Sequence, residues 1–216
     1  MEVLWAGEAE PRTPKQIVAE GYDQVAGAYA RLEGETTWTR ARWLERLLAQ
    51  LPPGSMVLDL GCGTGDPVAL RVAQEHHVTG VDISAAQIDL ARRNVPAGHF
   101  IHGDLGTVNF QSASFDSVVS FYTLEHLPRA EHAAILQRIA GWLRPGGLLL
   151  LSLEAGDYDD EQGTWLGVPM FLSCFDPDTT RGLVEAAGLA IVETAIEPQL
   201  EQGHAILYLW VLARRP

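Results

Sequence analysis

Short apolar runs alternate with amphipathic segments through the middle of the chain. Five runs have the length and composition of buried strands, at 56–60, 77–82, 99–104, 115–122 and 148–154. The segments between them carry apolar residues at helical spacing and helix start signals such as Ser84. This alternation predicts an α/β fold, in which helices cover both faces of a parallel sheet in a Rossmann-like three-layer sandwich.

The chain before the first strand has a different pattern. Apolar residues recur at helical spacing over about 14–31 and about 38–50, with a break between the two segments. We therefore predict two helices and divide the chain into an N-terminal helical lid or extension, residues 1–50, and a core, residues 51–216.

After the fifth strand the pattern changes again. Residues 155–175 are rich in glycine and aromatic side chains, and we predict an irregular insertion there. The last two strands, about 189–196 and 204–213, are adjacent in sequence, which favours an antiparallel pair.

The first strand runs into a glycine-rich turn, VLDLGCGTGDP at 57–67. Loops that follow parallel strands face a ligand site beyond the carboxyl edge of the sheet. Gly61, Gly63 and Gly65 do not complete the dinucleotide pattern G-x-G-x-x-G, because Asp66 replaces its last glycine. A carboxylate at that position would oppose a pyrophosphate, so the turn favours a closely approaching ligand without a polyphosphate.

Acidic residues end the next two strands. Asp82 follows Gly61 by 21 residues, where a carboxylate can accept hydrogen bonds from both hydroxyls of a ribose. Asp104 can accept a hydrogen bond from an adenine amino group, and the adjacent Ile83 and Leu105 can sandwich the base. Three consecutive strand ends therefore predict an adenosine site without a phosphate clamp.

Five segments taken together resemble the class I S-adenosylmethionine-dependent methyltransferases: VLDLGCGTG, VTGVDIS, HGDL, FDSVVSFYTLEHLP and LRPGGLLLLSLE. The likeness covers about residues 56–155. YDQVAGAYA, at 22–30, resembles the lid that precedes the fold in many members acting on small molecules. The resemblance implies S-adenosylmethionine as cofactor and a seven-stranded, mostly parallel sheet of order 3-2-1-4-5-7-6, with strand seven antiparallel.

The resemblance also implies roles for the residues around the glycine turn. Gly61 and Gly63 let the backbone approach the methionine part of the cofactor. Cys62 between them is included among the cofactor-binding residues of the turn, and the alternative is that it is only a small filler under the loop. Asp59, ahead of the turn, helps to hold the amino group of the cofactor. Phe121, at the end of the fourth strand, presents its backbone to the methionine part.

The remaining cofactor contacts are implied in the same way. Asp82 would bind the ribose and Asp104 the adenine, with the apolar residue after each aspartate flanking the base. Tyr22 or Tyr29 of the lid would close over the carboxylate of the cofactor.

Catalytic candidates lie in LEHLP, where the loop after the fourth strand meets a helix. His126 is close to the predicted cofactor site, and its titration range suits a general base. Glu125 beside it is a second candidate. The alternative is that His126 only packs at the start of the helix.

The insertion supplies the candidate substrate-binding residues. It follows a strand on the carboxyl side of the sheet, where a long loop can cover a bound acceptor. Its large side chains are the candidates for contact with an apolar substrate: Trp165, Met170, Phe171 and Phe175. The alternative is a small separate core packed under the loop.

Composition and charge narrow the range of partners. The net charge of −13 repels polyphosphates, which argues against nucleic acid as a partner. No apolar run approaches the roughly 18 residues of a membrane span, and the first residues lack a secretory signal pattern, so we predict a cytoplasmic protein without membrane association. Cys62 and Cys174 show no metal-ligand spacing and no carboxylate cluster stands out, so no metal is predicted. We expect a monomer or homodimer.

The predicted function is transfer of a methyl group to an O or N atom of a small apolar or aromatic molecule by in-line displacement. Two other classes stay open. An NAD(P)-dependent oxidoreductase would share the strand and glycine turn but conflicts with Asp66. A non-catalytic protein would use the adenosine site only to bind its ligand.

Overall fold

The computed structural model describes residues 11–35, 38–201 and 203–216, so predictions for residues 1–10 lie outside it. The helices in these ranges are α1 (Pro14–Glu35), α2 (Trp38–Leu48), α3 (Val68–Val72), α4 (Ala85–Asn94), α5 (Arg129–Trp142) and α6 (Pro177–Ala186), with a 3-10 turn at Leu124–His126. The strands are β1 (Met56–Leu60), β2 (His77–Asp82), β3 (His99–His102), β4 (Phe115–Phe121), β5 (Leu143–Glu154), β6 (Tyr158–Trp165), β7 (Val168–Cys174), β8 (Ala190–Glu201) and β9 (His204–Arg214).

Seven strands form the main sheet, in the order β3-β2-β1-β4-β5-β9-β8. Strands β1 to β5 pair in parallel, and β9 runs antiparallel to both β5 and β8. Since β6 and β7 lie outside this sheet, the order confirms the expected 3-2-1-4-5-7-6 arrangement. Because β1, β2 and β4 run in parallel, the loops that follow them all lie at the same carboxyl edge of the sheet.

Both faces of the sheet are covered, which confirms the three-layer sandwich. On one face, Ile139 of α5 and Val184 of α6 are fully buried against the strands. On the other face, Leu47 of α2 and Ile88 of α4 pack against the strands. Burial of such aliphatic side chains contributes roughly 1.5–3 kcal/mol each, so the core fixes the strand ends that position the site.

The two N-terminal helices take different positions. Helix α1 continues to Glu35, beyond the predicted end at 31, and its Asp23 is tied to the start of α4: Asp23 Oδ1 accepts from Ser84 Oγ (2.6 Å) and from the Ala86 amide (3.0 Å). Helix α2 instead packs on a face of the sheet. Helix α1 therefore reaches over the carboxyl edge of the sheet. Its role as a lid and the division at residue 50 stay predictions.

The prediction of an irregular insertion at 155–175 was wrong. This segment forms an antiparallel hairpin of β6 and β7, in which Trp165 pairs with Val168 across a two-residue turn. Leu166 and Gly167 in the turn have φ values of 48° and 84°, as a two-residue hairpin turn requires. A turn at Leu166 is hard to predict from residue type, because leucine seldom adopts positive φ.

The hairpin is fixed to the rest of the molecule at both sides. Arg129 donates hydrogen bonds to the Asp157 carboxylate and to the Cys174 carbonyl, both at 2.7 Å. Helix α1 lies close to β7, where a Cβ added to Gly21 would be 2.9 Å from the Pro169 carbonyl oxygen. Helix α1 and the hairpin therefore form a continuous cover. Within the described ranges, no helix is long and apolar enough to cross a membrane.

Candidate functional site

The glycine turn lies where β1 and β4 end side by side. Gly61 and Gly63 have φ values of 73° and 52°, which favour glycine. A Cβ on Gly61 would lie 2.7 Å from Cβ of Thr123, whose hydroxyl lies 2.8 Å from the Phe121 carbonyl oxygen. The turn therefore needs glycine both for its backbone conformation and for the close approach of the β4 loop.

Asp82 connects this turn to the start of α4. Its Oδ2 accepts from the Gly63 amide (2.9 Å) and its Oδ1 from the Ser84 amide (2.9 Å). Ser84 caps α4 as predicted, accepting a hydrogen bond from the Gln87 amide. The carboxylate thus holds the β1 and β2 loops in a fixed relation at the edge of the predicted ribose site.

Asp104 follows β3 and is bonded to helix α1. Its Oδ1 accepts from the Gly106 amide (2.7 Å), and its Oδ2 lies 3.0 Å from Lys15 Nζ, which is also 2.7 Å from Glu131. Partial burial alone would lower the pKa of Lys15, but the hydrogen bonds to Glu131 and Asp104 outweigh it and raise the pKa. The only lysine of the chain therefore attaches the start of α1 to the predicted adenine site.

The strand ends enclose a narrow cleft of about 60 Å³. Nine of the predicted cofactor residues line this cleft: Gly61, Gly63, Asp82, Ile83, Asp104, Leu105, Phe121, Tyr22 and Tyr29. This lining fits the chemistry of an adenosine group. It offers hydrogen-bond acceptors for ribose and adenine, apolar side chains that can flank a base, and a glycine turn without side chains.

A small recess continues from this cleft beneath the turn. Asp59 and Cys62 line it, both nearly excluded from solvent. Arg40 of α2 lines it as well and is 5% exposed, with its guanidinium carbon 5.7 Å from the centre of the Tyr122 ring. Asp59 thus shares this recess with a buried cation that the sequence pattern did not reveal.

A second cavity of about 250 Å³ adjoins the cleft under the hairpin. Tyr22, Tyr29, Tyr122 and His126 line both spaces and so mark the boundary between them. The lining of the larger cavity is aromatic and apolar with a few charged groups. Tyr122 has a positive φ of 54°, an uncommon backbone conformation that places it at this boundary.

The predicted substrate residues divide between cavity and core. Trp165 and Met170 line the larger cavity. Phe171 is buried in a small cluster beneath the hairpin, and its carbonyl oxygen faces His126. Phe175 lies elsewhere, with its ring 4.6 Å from the Arg129 guanidinium and 5.9 Å from the His132 ring. The hairpin places Phe175 past its second strand, on the side of α5, so it is not among the residues that line either cavity.

Of the two catalytic candidates, His126 lies at the boundary between the cavities and Glu125 lines only the larger one. Nδ1 of His126 is 2.8 Å from the Phe171 carbonyl oxygen, and Nε2 is 2.9 Å from Tyr22 Oη. Burial lowers the pKa of His126, which favours the neutral imidazole. Glu125 is 4% exposed and lines the larger cavity, where its Oε2 accepts from the Glu154 amide (3.0 Å).

The sequence patterns did not reveal several residues that line the cavities. Glu154 ends β5, so the rule that found Asp82 at a strand end could have found it too. Tyr122 follows β4 directly and could have been found in the same way. Arg40 and Lys15 lie on the N-terminal helices, where no local pattern separates a residue that reaches the site from a solvated cation.

The protein should become less stable in mild acid, because two of its histidines are buried. Burial lowers the pKa of both His126 and His132, whereas an unfolded histidine titrates near 6.5. As the pH falls below about 6.5, the unfolded chain takes up protons that the folded chain does not. The free energy of unfolding should therefore fall by up to about 1.4 kcal/mol per pH unit for each histidine.

Urea unfolding at several pH values between about 5.5 and 7.5 measures this dependence. His132→Gln should make the slope shallower, because His132 is 2% exposed and lies within hydrogen-bond distance of the Leu127 carbonyl. His77→Gln, at an exposed position, is the matched control and should keep the wild-type slope. Equal slopes for the wild type and both variants would contradict a lowered pKa for His132 in the folded protein.

Comparison with known proteins agrees with this arrangement. The family model of a methyltransferase domain matches residues 57–147. The chain is 32% identical over 161 residues to 27-O-demethylrifamycin SV methyltransferase of Amycolatopsis mediterranei, covering 64% of this chain and 58% of that protein. It is 32% identical over 160 residues to malonyl-[acyl-carrier protein] O-methyltransferase of Serratia marcescens, covering 70% and 58%. The chain thus spans a little over half the length of these relatives.

Solved structures show the same fold. Magnesium protoporphyrin IX methyltransferase of Synechocystis PCC 6803, solved with bound S-adenosylmethionine, superposes with a TM-score of 0.73 at 20% identity, covering 97% of this chain and all of that one. Residues 57–147 therefore match a methyltransferase domain, and the fold around them is that of the class I S-adenosylmethionine-dependent methyltransferases.

Proposed function

We propose that the protein transfers a methyl group from S-adenosylmethionine to an O or N atom of a small apolar or aromatic molecule. The observation that carries this proposal is a pair of adjoining cavities that share Tyr22, Tyr29, Tyr122 and His126. The narrow cleft suits the cofactor, and the larger cavity beside it suits an acceptor. A protein that only bound the cofactor would have no need of the second cavity.

The cofactor would be held by the residues of the strand ends. Asp82 would bind the ribose and Asp104 the adenine, with Gly61 and Gly63 giving room for the methionine part. Asp59 would hold the amino group. When bound, S-adenosylmethionine supplies a methyl group that is already activated by its positively charged sulfur.

The protein contributes mainly orientation and exclusion of water. Helix α1 and the hairpin cover the boundary between the cavities, and Trp165 and Met170 offer apolar contacts to an acceptor. Holding two reactants in line can contribute about 7–11 kcal/mol to the lowering of a barrier. A base such as His126 adds about 10²–10⁴-fold where the acceptor must lose a proton.

Two names among the relatives bear on the atom that is methylated. Both the rifamycin enzyme and the malonyl-[acyl-carrier protein] enzyme are named for methylation of oxygen. This supports an oxygen acceptor over nitrogen for the present protein. Small-molecule acceptors agree with the strongly negative chain, which disfavours nucleic acid.

A panel of small molecules, incubated with the protein and methyl-labelled S-adenosylmethionine, tests the proposal. We expect label in at least one phenol, alcohol or amine, detected by mass spectrometry. The Asp82→Ala variant is the control for transfer that depends on the cofactor cleft. Label in no small molecule, together with label in protein or RNA added as alternative acceptors, would overturn the proposal.

A further inference from the structure

Tyr22 and His126 form a hydrogen-bonded pair whose direction the structure determines. A carbonyl oxygen can only accept a hydrogen bond, so His126 Nδ1, 2.8 Å from the Phe171 carbonyl oxygen, carries the proton of the neutral ring. Nε2 then presents a lone pair. Tyr22 Oη lies 2.9 Å from Nε2 and must therefore donate its proton to it.

We propose that Tyr22 and His126 form a proton relay for a hydroxyl acceptor, so that the larger cavity takes un-ionised phenols or alcohols. This inference rests on the proposed methyl transfer and names its substrate class. Tyr22 lines both the cofactor cleft and the larger cavity, which puts it where an acceptor hydroxyl would meet the methyl group.

The protons and electrons balance without a further reactant. The acceptor oxygen forms a bond to the methyl carbon as the carbon–sulfur bond breaks, with that electron pair staying on sulfur. The acceptor proton passes to Tyr22 Oη while Tyr22 passes its own proton to His126 Nε2. The resulting imidazolium keeps its Nδ1 hydrogen bond to the Phe171 carbonyl and releases the extra proton to solvent after the product leaves.

The surroundings of the pair support a proton transfer between the two rings. Burial lowers the pKa of His126, which favours the neutral ring with a lone pair on Nε2. The rings meet edge to face, with their centres 5.3 Å apart. The charged groups that line the larger cavity are Arg40, Glu125 and Glu154.

The type of acceptor follows from what the relay does. A thiolate or a neutral amine has a lone pair available and gains little from a base before transfer. An un-ionised phenol or alcohol is a poor nucleophile until its proton is removed. A relay that ends on a buried neutral histidine is therefore useful for a hydroxyl acceptor.

The first test needs no acceptor. In ¹⁵N-histidine-labelled protein near pH 7.5, long-range ¹H–¹⁵N spectra should show His126 as the neutral Nδ1–H form, assigned with His126→Gln. Tyr22→Phe should shift the His126 Nε2 resonance. Tyr29→Phe is the matched control, because it makes the same change on a ring whose centre lies 5.5 Å from that of Tyr22, and it should leave the resonance in place. A protonated Nε2 in the wild type would overturn the relay.

The second test uses phenols that differ only in acidity. At about pH 8, Tyr22→Phe and His126→Gln should each slow methylation of an un-ionised phenol by about 10²–10⁴-fold. A nitro-substituted phenol that is already ionised should be slowed by less than about tenfold, since it has no proton to give. Equal slowing of both phenols would indicate a merely structural pair and overturn the relay.

The two proposals fail in different ways. If the wild type methylates amines or thiols but no hydroxyl compound, the relay is overturned and methyl transfer to small molecules stands. If it methylates no small molecule at all, the proposed function fails and the relay fails with it. Binding of S-adenosylhomocysteine to each variant, measured by calorimetry, shows that the cofactor cleft is intact.

Discussion

Replacing Gly61 with alanine is expected to weaken cofactor binding by about 100-fold, or about 2.7 kcal/mol. The new Cβ would lie 2.7 Å from Cβ of Thr123, and a residue with a side chain is strained at a φ of 73°. The turn would have to move away from the β4 loop, and its amides would leave the cleft. Calorimetry with S-adenosylhomocysteine measures the loss.

Two variants separate the close contact from the backbone strain. Gly54→Ala is the matched control, because Gly54 has a φ of 76° and no atom within 4 Å of an added Cβ. It should lose about 1–2 kcal/mol of stability and no cofactor affinity. Adding Thr123→Gly to Gly61→Ala removes the obstructing side chain and should restore part of the affinity. A Gly61→Ala protein that binds like the wild type would contradict the assignment of the turn.

Replacing Asp82 with alanine should weaken binding of S-adenosylhomocysteine by at least about tenfold, or about 1.4 kcal/mol. The change removes charge-assisted hydrogen bonds to the proposed ribose. It also leaves the amides of Gly63 and Ser84 without their acceptor, at a cost of about 1–3 kcal/mol for each buried group. Asp82→Asn keeps one acceptor oxygen and should lie between the wild type and the alanine variant.

Asp116 provides the matched control for Asp82. It accepts a hydrogen bond from the Met56 amide (2.7 Å) and pairs with Arg144, but it lies at the amino end of the strands, away from the cleft. Asp116→Ala should therefore reduce thermal stability and leave cofactor affinity unchanged. If Asp82→Ala and Asp116→Ala lower stability alike and neither lowers affinity, Asp82 has a structural role only.

The main sheet could be predicted because its strands have a simple signature. Parallel strands buried on both faces read as continuous apolar runs, and the glycine turn and the strand-end aspartates mark the loops at their carboxyl ends. The edges of elements were less predictable. Strand β5 begins at Leu143, five residues before the predicted start at 148, because Leu143 pairs with Phe115.

The cover of the site could not be predicted in the same way. The hairpin turns at Leu166 and Gly167, a pair that carries no standard turn signal, so its strand pattern was hidden. Lys15 reaches the cleft, and Arg40 reaches the adjoining recess and larger cavity, only because α1 and α2 fold back over the sheet. These contacts depend on tertiary packing between segments that are distant in sequence. Local composition does not predict such packing.

Gly21 gives the cover a property that bears on the choice of acceptor. The backbones of α1 and β7 are so close at this residue that an added Cβ would lie 2.9 Å from the Pro169 carbonyl oxygen. A larger residue at position 21 would push the two segments apart, and with them Tyr22 of α1 from the Phe171 carbonyl of β7 that orients His126. The alignment of the groups that would handle the acceptor proton therefore depends on the lack of a side chain at residue 21.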